Sequence, residues 1–290
     1  VYGRPCSVHV DPIEKKPLYH FYPGQEILSF GTLGCNLFCK GCQNYEIARA
    51  EVENTVLNFK YYSPEEIVNM AVRQNIQMIA YTYNEPTVFF EYMIDVAKLA
   101  RKKGIKNVVV TNGYINSEPL KEFCKYIDAV NIDLKGFTEE FYKNYSKAKL
   151  LPILETIKTL KKTHIWIELT NLVLPTLNDD LTKIKEMCIW IKKNLGSDIP
   201  LHFSRFYPYY EATKISITST DTLSKAEMIA KNAGLHYVYV GNLGRSENTL
   251  CKKCRQILIN RPNYVGISVG LTGKNNNQCI NCRTILAGRF

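Results

Sequence analysis

Gly34-Cys35-Asn36-Leu37-Phe38-Cys39-Lys40-Gly41-Cys42-Gln43-Asn44 carries three cysteines in eight residues, spaced C-x3-C-x2-C. It follows the largely apolar run Ile27-Leu28-Ser29-Phe30. Three thiolates in one tight loop can hold three corners of a cubane iron–sulfur cluster, and such clusters are normally held by four. The missing fourth ligand leaves one iron open to a small molecule. Two plainer readings compete: core cysteines, or half of a zinc site. Core cysteines, however, are usually single and lie on the periodic face of an element. A glycine-flanked loop at a strand's C-terminal end is where α/β folds place their active sites, which favours the cluster.

Around this loop the chain alternates strand and helix. Strands are expected at 27–32, 78–83, 107–111, 129–134, 165–172, 201–206 and 237–240. Several are rich in Val and Ile with little alternation, as strands buried on both faces should be. Ser63-Pro64-Glu65-Glu66 is a capping box with Pro at the first helical position. Pro86 opens a helix with the apolar face Phe89, Tyr92, Met93, Val96, Leu99 and Ala100, ending at Gly104. Ser117, Thr138, Asn178 and Asp221 are expected N-caps, and Gly196 and Gly234 C-caps. Repeated βα units give a parallel sheet through right-handed crossovers. Six to seven strands are too few for a closed eight-stranded barrel, so the expected fold is α/β, a partial (βα)6 TIM-like barrel over residues 27–242. Residues 1–26 read as an N-terminal β-hairpin, in which Val8, Val10, Leu18, His20 and Tyr22 keep a rough period of two and Asp11-Pro12 turns. Residues 242–248 read as a linker. Residues 249–290 form a third module, in which Cys251-x2-Cys254 and Cys279-x2-Cys282 flank short β segments (257–259, 265–269). Paired knuckles of this kind read as a zinc ribbon, with a second iron–sulfur cluster as the alternative.

The 290 residues suffice for one large domain and a small appendage, and a 46% hydrophobic content excludes global disorder. No run approaches the roughly 18 apolar residues of a membrane span. Ten cysteines would suggest disulfides in a small secreted protein, but seven fall in these clusters, which points to metal ligation in a reducing, cytoplasmic setting. Cys6, Cys124 and Cys188 are single, and the last two read as core. The opening Val1-Tyr2-Gly3-Arg4 reads as the middle of a strand, so a longer natural N-terminus is expected. The net charge is +10. Seven Lys or Arg (252, 253, 255, 261, 274, 283 and 289) and no acid lie in 251–290, leaving +3 for the rest. Such an excess suits an acidic partner surface, RNA or protein, and four metal-bound thiolates would offset only part of it.

The cysteine spacing resembles that of the radical S-adenosylmethionine (radical SAM) enzymes. That resemblance implies a [4Fe-4S] cluster on Cys35, Cys39 and Cys42, with the open iron chelated by SAM. In that superfamily reductive cleavage of SAM yields methionine and a 5′-deoxyadenosyl radical, with electrons from a donor such as flavodoxin or ferredoxin. The residues after each strand can be assigned on the same basis. Tyr83-Asn84-Glu85 stands where the superfamily has a Gly-Gly-Glu-like motif for the SAM amino group; Asn84 and Glu85 offer the acceptors, although Asn84 could equally cap the helix that Pro86 starts. Thr111 and Asn112 follow the third strand. Asp133-Leu134-Lys135 is similar to the pyruvate formate-lyase-activating enzyme branch; Lys135 would hold the SAM carboxylate and Asp133 would fix that Lys or a ribose hydroxyl. A surface ion pair, worth little, is the plainer reading of the two. Asn171 is a candidate for the ribose, and the apolar stretch beside it for adenine. His202 aligns with a SAM-contacting His of the activating enzymes and clusters with Arg205; a satisfied core His is the competing reading. Gly41 and Gln43 complete the candidate cofactor-binding set. The position of Gly41 is usually aromatic in these loops and contacts adenine, so Phe38 is a candidate to cover adenine instead.

Asp11-Pro12-Ile13-Glu14-Lys15-Lys16-Pro17, Tyr83-Asn84-Glu85-Pro86-Thr87, Asp133-Leu134-Lys135-Gly136 and His202-Phe203-Ser204-Arg205-Phe206 together resemble the radical SAM member of the AmmeMemoRadiSam system. This implies an oxygen-sensitive cytosolic enzyme with Memo-like and AMMECR-like partner proteins. The expected function is hydrogen abstraction from a macromolecular substrate in the manner of an activating enzyme. The alternatives are an RNA-modifying radical SAM enzyme, to which the ribbon delivers RNA, and a non-catalytic metal-ribbon protein that binds RNA.

Overall fold

The computed structural model describes residues 1–244 and 247–290. Arg245 and Ser246, inside the expected linker, lie outside the described residues. One eight-stranded sheet dominates: β1 (Ser7–Pro12), β2 (Glu26–Gly31), β3 (Met78–Tyr81), β4 (Lys106–Thr111), β5 (Ala129–Asp133), β6 (Trp166–Val173), β7 (Leu201–Arg205) and β8 (Val238–Gly241), adjacent in chain order. β2 to β8 are parallel; β1 is antiparallel to β2. Strands that follow one another in order, with a helix in each crossover, put all the helices on one face.

Local chemistry explains the helices. Ser63 Oγ accepts from Glu66 N at 3.2 Å while Glu66 Oε2 accepts from Ser63 N at 2.7 Å, so the expected capping box starts Pro64–Arg73. Phe90–Lys102 buries Tyr92, Met93, Val96, Ala97 and Ala100 against the sheet, after a 3-10 turn at Pro86–Phe89. Thr138 caps as expected, accepting from Phe141 N, and Gly196 and Gly234 take the left-handed conformations of helix ends at φ 96° and 95°. Three caps differ. Ser117 is the first helical residue, behind Asn116. Asp180, not Asn178, caps Leu181–Leu195, and Ser219, not Asp221, caps Thr220–Asn232. Asn178 is instead spent inside its loop, accepting from Leu174 N and donating to the carbonyls of Lys135 and Leu172.

The N-terminal hairpin differs most. β1 pairs with the cluster strand itself, Val8 opposite Phe30 and Val10 opposite Leu28, and not with residues 18–22. Leu18, His20 and Tyr22 form no strand; residues 13–22 cross the face of the sheet opposite the helices. There Ile13, Leu18 and Phe21 pack on Ile27, Met78, Ala80, Val108 and Ala129, from four neighbouring strands. Asn131 Nδ2 donates to Pro17 O at 2.9 Å, and Glu168 accepts from Tyr19 N and His20 N at 2.9 and 2.7 Å. One segment thus touches inward-facing residues of β2 to β6, an arrangement consistent with the expected partial barrel. The segment closes the end at which the strands begin.

The C-terminal module packs at that same end. β9 (Thr249–Leu250), β10 (Ile257–Asn260) and β11 (Ile267–Ser268) form one small sheet, β12 (Leu271–Thr272) and β13 (Gln278–Cys279) another. Leu258, Ile259 and Leu286 pack on Tyr19, Tyr237 and Tyr239. Arg261 is fully buried; it donates to Tyr19 O at 2.6 Å and to Thr249 Oγ1 at 2.8 Å, with its guanidinium 4.2 Å from the Tyr19 ring centre. Among the described residues, no helix is long and apolar enough to cross a membrane.

Candidate active site

The C-terminal ends of the strands enclose a cavity of about 350 Å3. Cys35, Cys39 and Cys42 line one wall, and all three are free thiols. Their loop is held from both sides. Gly34 N donates to Ile47 O at 2.9 Å. Phe38 N and Lys40 N donate to Ser146 O and Tyr145 O at 2.9 and 3.2 Å, which ties the loop to a π-helical turn at Tyr142–Ser146. Turns of that kind are frequent at functional sites. Burial pushes the Cys35 thiol up to about 12 and raises Cys42 as well, so both need a cation to exist as thiolates. An iron–sulfur cluster supplies that charge, and three partly exposed thiols on one cavity wall are the donor set it requires.

Gly41 has a steric reason. A Cβ there would meet Tyr145 Oη at 2.7 Å and Phe206 Cε2 at 3.0 Å, while its N–H donates to Tyr145 Oη at 3.1 Å. The aromatic ring usual at this position has no room, because Tyr145 and Phe206 occupy the space. Phe38 does not replace it: it is 57% exposed, outside the cavity lining, with the Arg49 guanidinium 3.9 Å from its ring centre.

Thr82, Tyr83, Asn84, Val110, Thr111, Asn112, Asp133 and Lys135 line the same cavity. Asp133 and Lys135 share the inward side of the β5 end, with Nζ 2.7 Å from Asp133 Oδ2. Burial works against the ammonium, but Asp133 and Cys39 overcome it and hold its pKa well above the usual lysine range. Tyr83 has φ 75°, a backbone conformation natural to glycine, which accords with the place of a Gly-Gly-Glu-like turn. Asn84 donates to the carbonyls of Thr32 and Gly34 at the mouth of the cysteine loop. Its buried Oδ1 has no partner among the described residues and is an acceptor of the kind an ammonium donor needs. Asn112 donates to Asn36 Oδ1 at 2.8 Å, and Asn36 donates in turn to Tyr114 O, so the β4 end steadies the cysteine loop. Gln43 also lines the cavity.

Four candidates are placed elsewhere. Glu85 is fully buried and spent: Oε1 accepts from Thr111 Oγ1 at 2.8 Å and Thr87 N at 3.1 Å, and Oε2 from Asn112 N at 2.8 Å. It fixes two strand ends instead of facing the cavity. Asn171 projects from the other side of β6 and donates to Leu134 O at 2.7 Å, while its neighbour Leu172 faces in. Arg205 likewise points out of β7, donating to Thr218 O at 2.8 Å beside the Tyr207 ring; Ser204 takes the cavity. His202 faces inward but too near the start of β7. It bonds Glu168 Oε2 at 2.7 Å and stacks on Tyr239, one layer below the cavity. The alternation of a strand decides Asn171 and Arg205, and depth along the strand decides His202.

The sequence reading missed Lys15 and Lys16, which also line the cavity. Both bond Asp11 at 2.9 Å, and Lys16 is almost wholly buried. The signal was present as two lysines between the buried Ile13 and Leu18, but only the crossing of residues 13–22 over the sheet face brings them to the site.

The four C-terminal cysteines lie away from this cavity, packed beside Tyr237 and Tyr239 at the ends where the strands begin. Their sulfurs all fall within 4.8 Å of one another, with Cys251–Cys282 at 3.5 Å and Cys254–Cys279 at 3.6 Å. Of the seven basic residues of the tail, Lys252 bonds Asp198 at 2.8 Å and Arg261 is buried; five stay exposed.

The profile of the radical SAM superfamily matches residues 30–188. The uncharacterized protein MJ0808 of Methanocaldococcus jannaschii is 45% identical over 90% of this chain and 77% of its own length. The pyruvate formate-lyase-activating enzyme of Clostridium pasteurianum is 23% identical over 55% of this chain; this chain spans 66% of that relative. In fold, 56% of the chain superposes on 98% of a domain of the pyruvate formate-lyase-activating enzyme from Bacteroides vulgatus, with a TM-score of 0.50 at 18% identity. The cysteine loop and most of the strand-end cavity fall within the matched residues, and the chain is an enzyme that belongs to the radical SAM superfamily, with relatives among the glycyl-radical activating enzymes.

Proposed function

We propose that this enzyme cleaves SAM reductively to prepare hydrogen abstraction from a macromolecular substrate, as an activating enzyme does. The observation that carries this reading is that Cys35, Cys39 and Cys42 and the Asp133–Lys135 pair line one cavity. Cys35, Cys39 and Cys42 would hold a [4Fe-4S] cluster, which when bound would supply the electron for reductive cleavage of SAM. The chain's own residues bind and orient. Lys135, kept charged by Asp133, offers an ammonium to a carboxylate. Asn84 and the strand-end carbonyls beside it offer acceptors to an amino group. Leu172 and Leu174 provide an apolar wall suited to an adenine face. Anaerobically reconstituted protein given SAM and a strong reductant should release 5′-deoxyadenosine and methionine. An intact cluster with no product would overturn the reading.

The four motifs quoted above support placing the enzyme in the AmmeMemoRadiSam system, with Memo-like and AMMECR-like proteins as partners, a flavodoxin or ferredoxin as electron donor and a cytoplasmic location. For the ribbon we favour zinc. Four sulfurs tetrahedral about one zinc at about 2.3 Å would stand roughly 3.8 Å apart, close to the ribbon spacing. Thiolates on the separate irons of a cubane would be spread more widely. The ribbon's place at the far end of the strands argues against its delivering RNA to the cavity, so a protein substrate is preferred.

A further inference from the structure

The cavity wall carries a second cationic group, Lys15 and Lys16 paired with Asp11 behind them, that the SAM site does not need. Asp11 accepts from Lys15 Nζ and Lys16 Nζ, each at 2.9 Å. Two ammoniums on one carboxylate leave one positive charge uncompensated. The Lys16 side chain is only 4% exposed, its Nζ 5.1 Å from the Tyr83 ring centre. An ammonium has three donors, and Asp11 is the one hydrogen-bonding partner of Lys16 Nζ among the described residues. A buried charge is costly unless paired and hydrogen-bonded. A lysine held at a cavity wall with unspent donors is therefore prepared for an anion.

Two features separate this group from SAM recognition. SAM brings one carboxylate, for which Lys135 is available, paired with Asp133 and close to Cys39. Lys15 and Lys16 also lie on the crossing segment, outside the residues 30–188 that match the superfamily profile. They are an addition to the shared barrel, entering at the side where β1 and β8 are the open edges of the sheet.

We propose that Lys15, Lys16 and Asp11 form a subsite for an anionic group, a carboxylate or a phosphate, of the substrate, seated beside Tyr83. This rests on the SAM-cleaving reading for the identity of the neighbouring ligand, but its own test does not. Cluster-loaded protein is titrated calorimetrically with SAM, and then, with and without SAM, with inorganic phosphate and with malonate. Wild-type protein should bind one of the two probes, and which one tells phosphate from carboxylate. Lys16→Met should weaken that binding at least tenfold and leave the SAM Kd within twofold, while Lys135→Met should do the reverse. Lys15→Met, a change at a largely exposed side chain, should weaken the anion by a smaller factor and provides a reading if Lys16→Met does not fold. Equal probe affinity in wild type and both variants, or no probe binding to wild type, would overturn the subsite. So would a tenfold loss of SAM affinity in Lys16→Met, which would give the lysine to SAM. Failure of the SAM-cleaving reading shows separately, as no deoxyadenosine from wild type.

Discussion

Cys35, Cys39 and Cys42 face a cavity at the C-terminal ends of the strands; Cys251, Cys254, Cys279 and Cys282 face one another at the N-terminal ends. The first site has three ligands and a wall of polar groups around the gap. The second has four ligands and nothing left to coordinate. Open sites do chemistry and closed sites hold structure, a distinction familiar from zinc. The surroundings agree. The triplet sits beside Lys135, Asp133, Asn84 and Asn112. The quartet sits over tyrosines and the buried Arg261, which ties the ribbon to the segment that floors the cavity. The two sites are thus coupled through residues 13–22, although no ligand of one touches the other.

The sharpest way to break this comparison is at the ligands. Cys39→Ser should lower deoxyadenosine formation at least about a thousandfold, ~4 kcal/mol in the barrier, while the ribbon keeps its one metal, measured by elemental analysis. Cys279→Ser should lose that metal and expose the C-terminal module to limited proteolysis. Equal loss of iron in both variants would erase the distinction.

Arg261→Met tests the coupling. It leaves Glu14, whose Oε1 accepts from Gly24 N and Gly266 N at 2.9 Å, without its cation 3.8 Å away. Removing one partner of a buried pair costs about 3–5 kcal/mol, and denaturant unfolding should show it. Loss of anion binding at Lys16 in the same variant would sharpen the link between ribbon and floor.

A pH dependence should come from the floor. His20 bonds Ala287 O and the Tyr239 hydroxyl at 2.7 and 2.6 Å, and burial lowers its pKa from 6.5 to about 4. The unfolded chain takes up a proton near 6.5 and the folded one only near 4. Stability is therefore fully present above 6.5 and falls between the two values, by roughly 3 kcal/mol. Unfolding free energies measured from pH 7 to pH 4 should show this slope, and His20→Gln should flatten it.

The smallest effect is at the cysteine loop. Gly41→Ala should cost about 1–3 kcal/mol through overpacking against Tyr145 and Phe206, read as a lowered Tm with the cluster still bound. An unchanged Tm would mean that the two rings yield and that the site can accept the usual aromatic after all.

Periodicity and spacing made much of this molecule legible. The seven parallel strands, the capping box at Ser63 and both cysteine groups come from local patterns that a short stretch of chain dictates. The strand-end candidates divide along a clear line. Asp133 and Lys135, assigned from the resemblance to the activating enzymes, both line the cavity, since an i, i+2 pair at a strand end shares a face. Asn171 and Arg205 fall on the opposite face of their strands, which a strand-end position alone does not decide. Glu85 was misplaced because a carboxylate that can bind a ligand can equally accept from Thr111 and Asn112.

By itself the sequence determined the cysteine triplet, the two CxxC pairs and the α/β alternation, because each depends on residues close in the chain. Only the tertiary structure decided that β1 joins the cluster strand, that the ribbon packs behind the barrel, and that Lys16 reaches the cavity. Those outcomes depend on contacts across long separations, such as Val8 with Phe30, Tyr19 with Glu168 and Gly266 with Glu14. The partner of an edge strand or a buried lysine is set by the surface that the rest of the fold presents, and a local pattern carries no record of that surface.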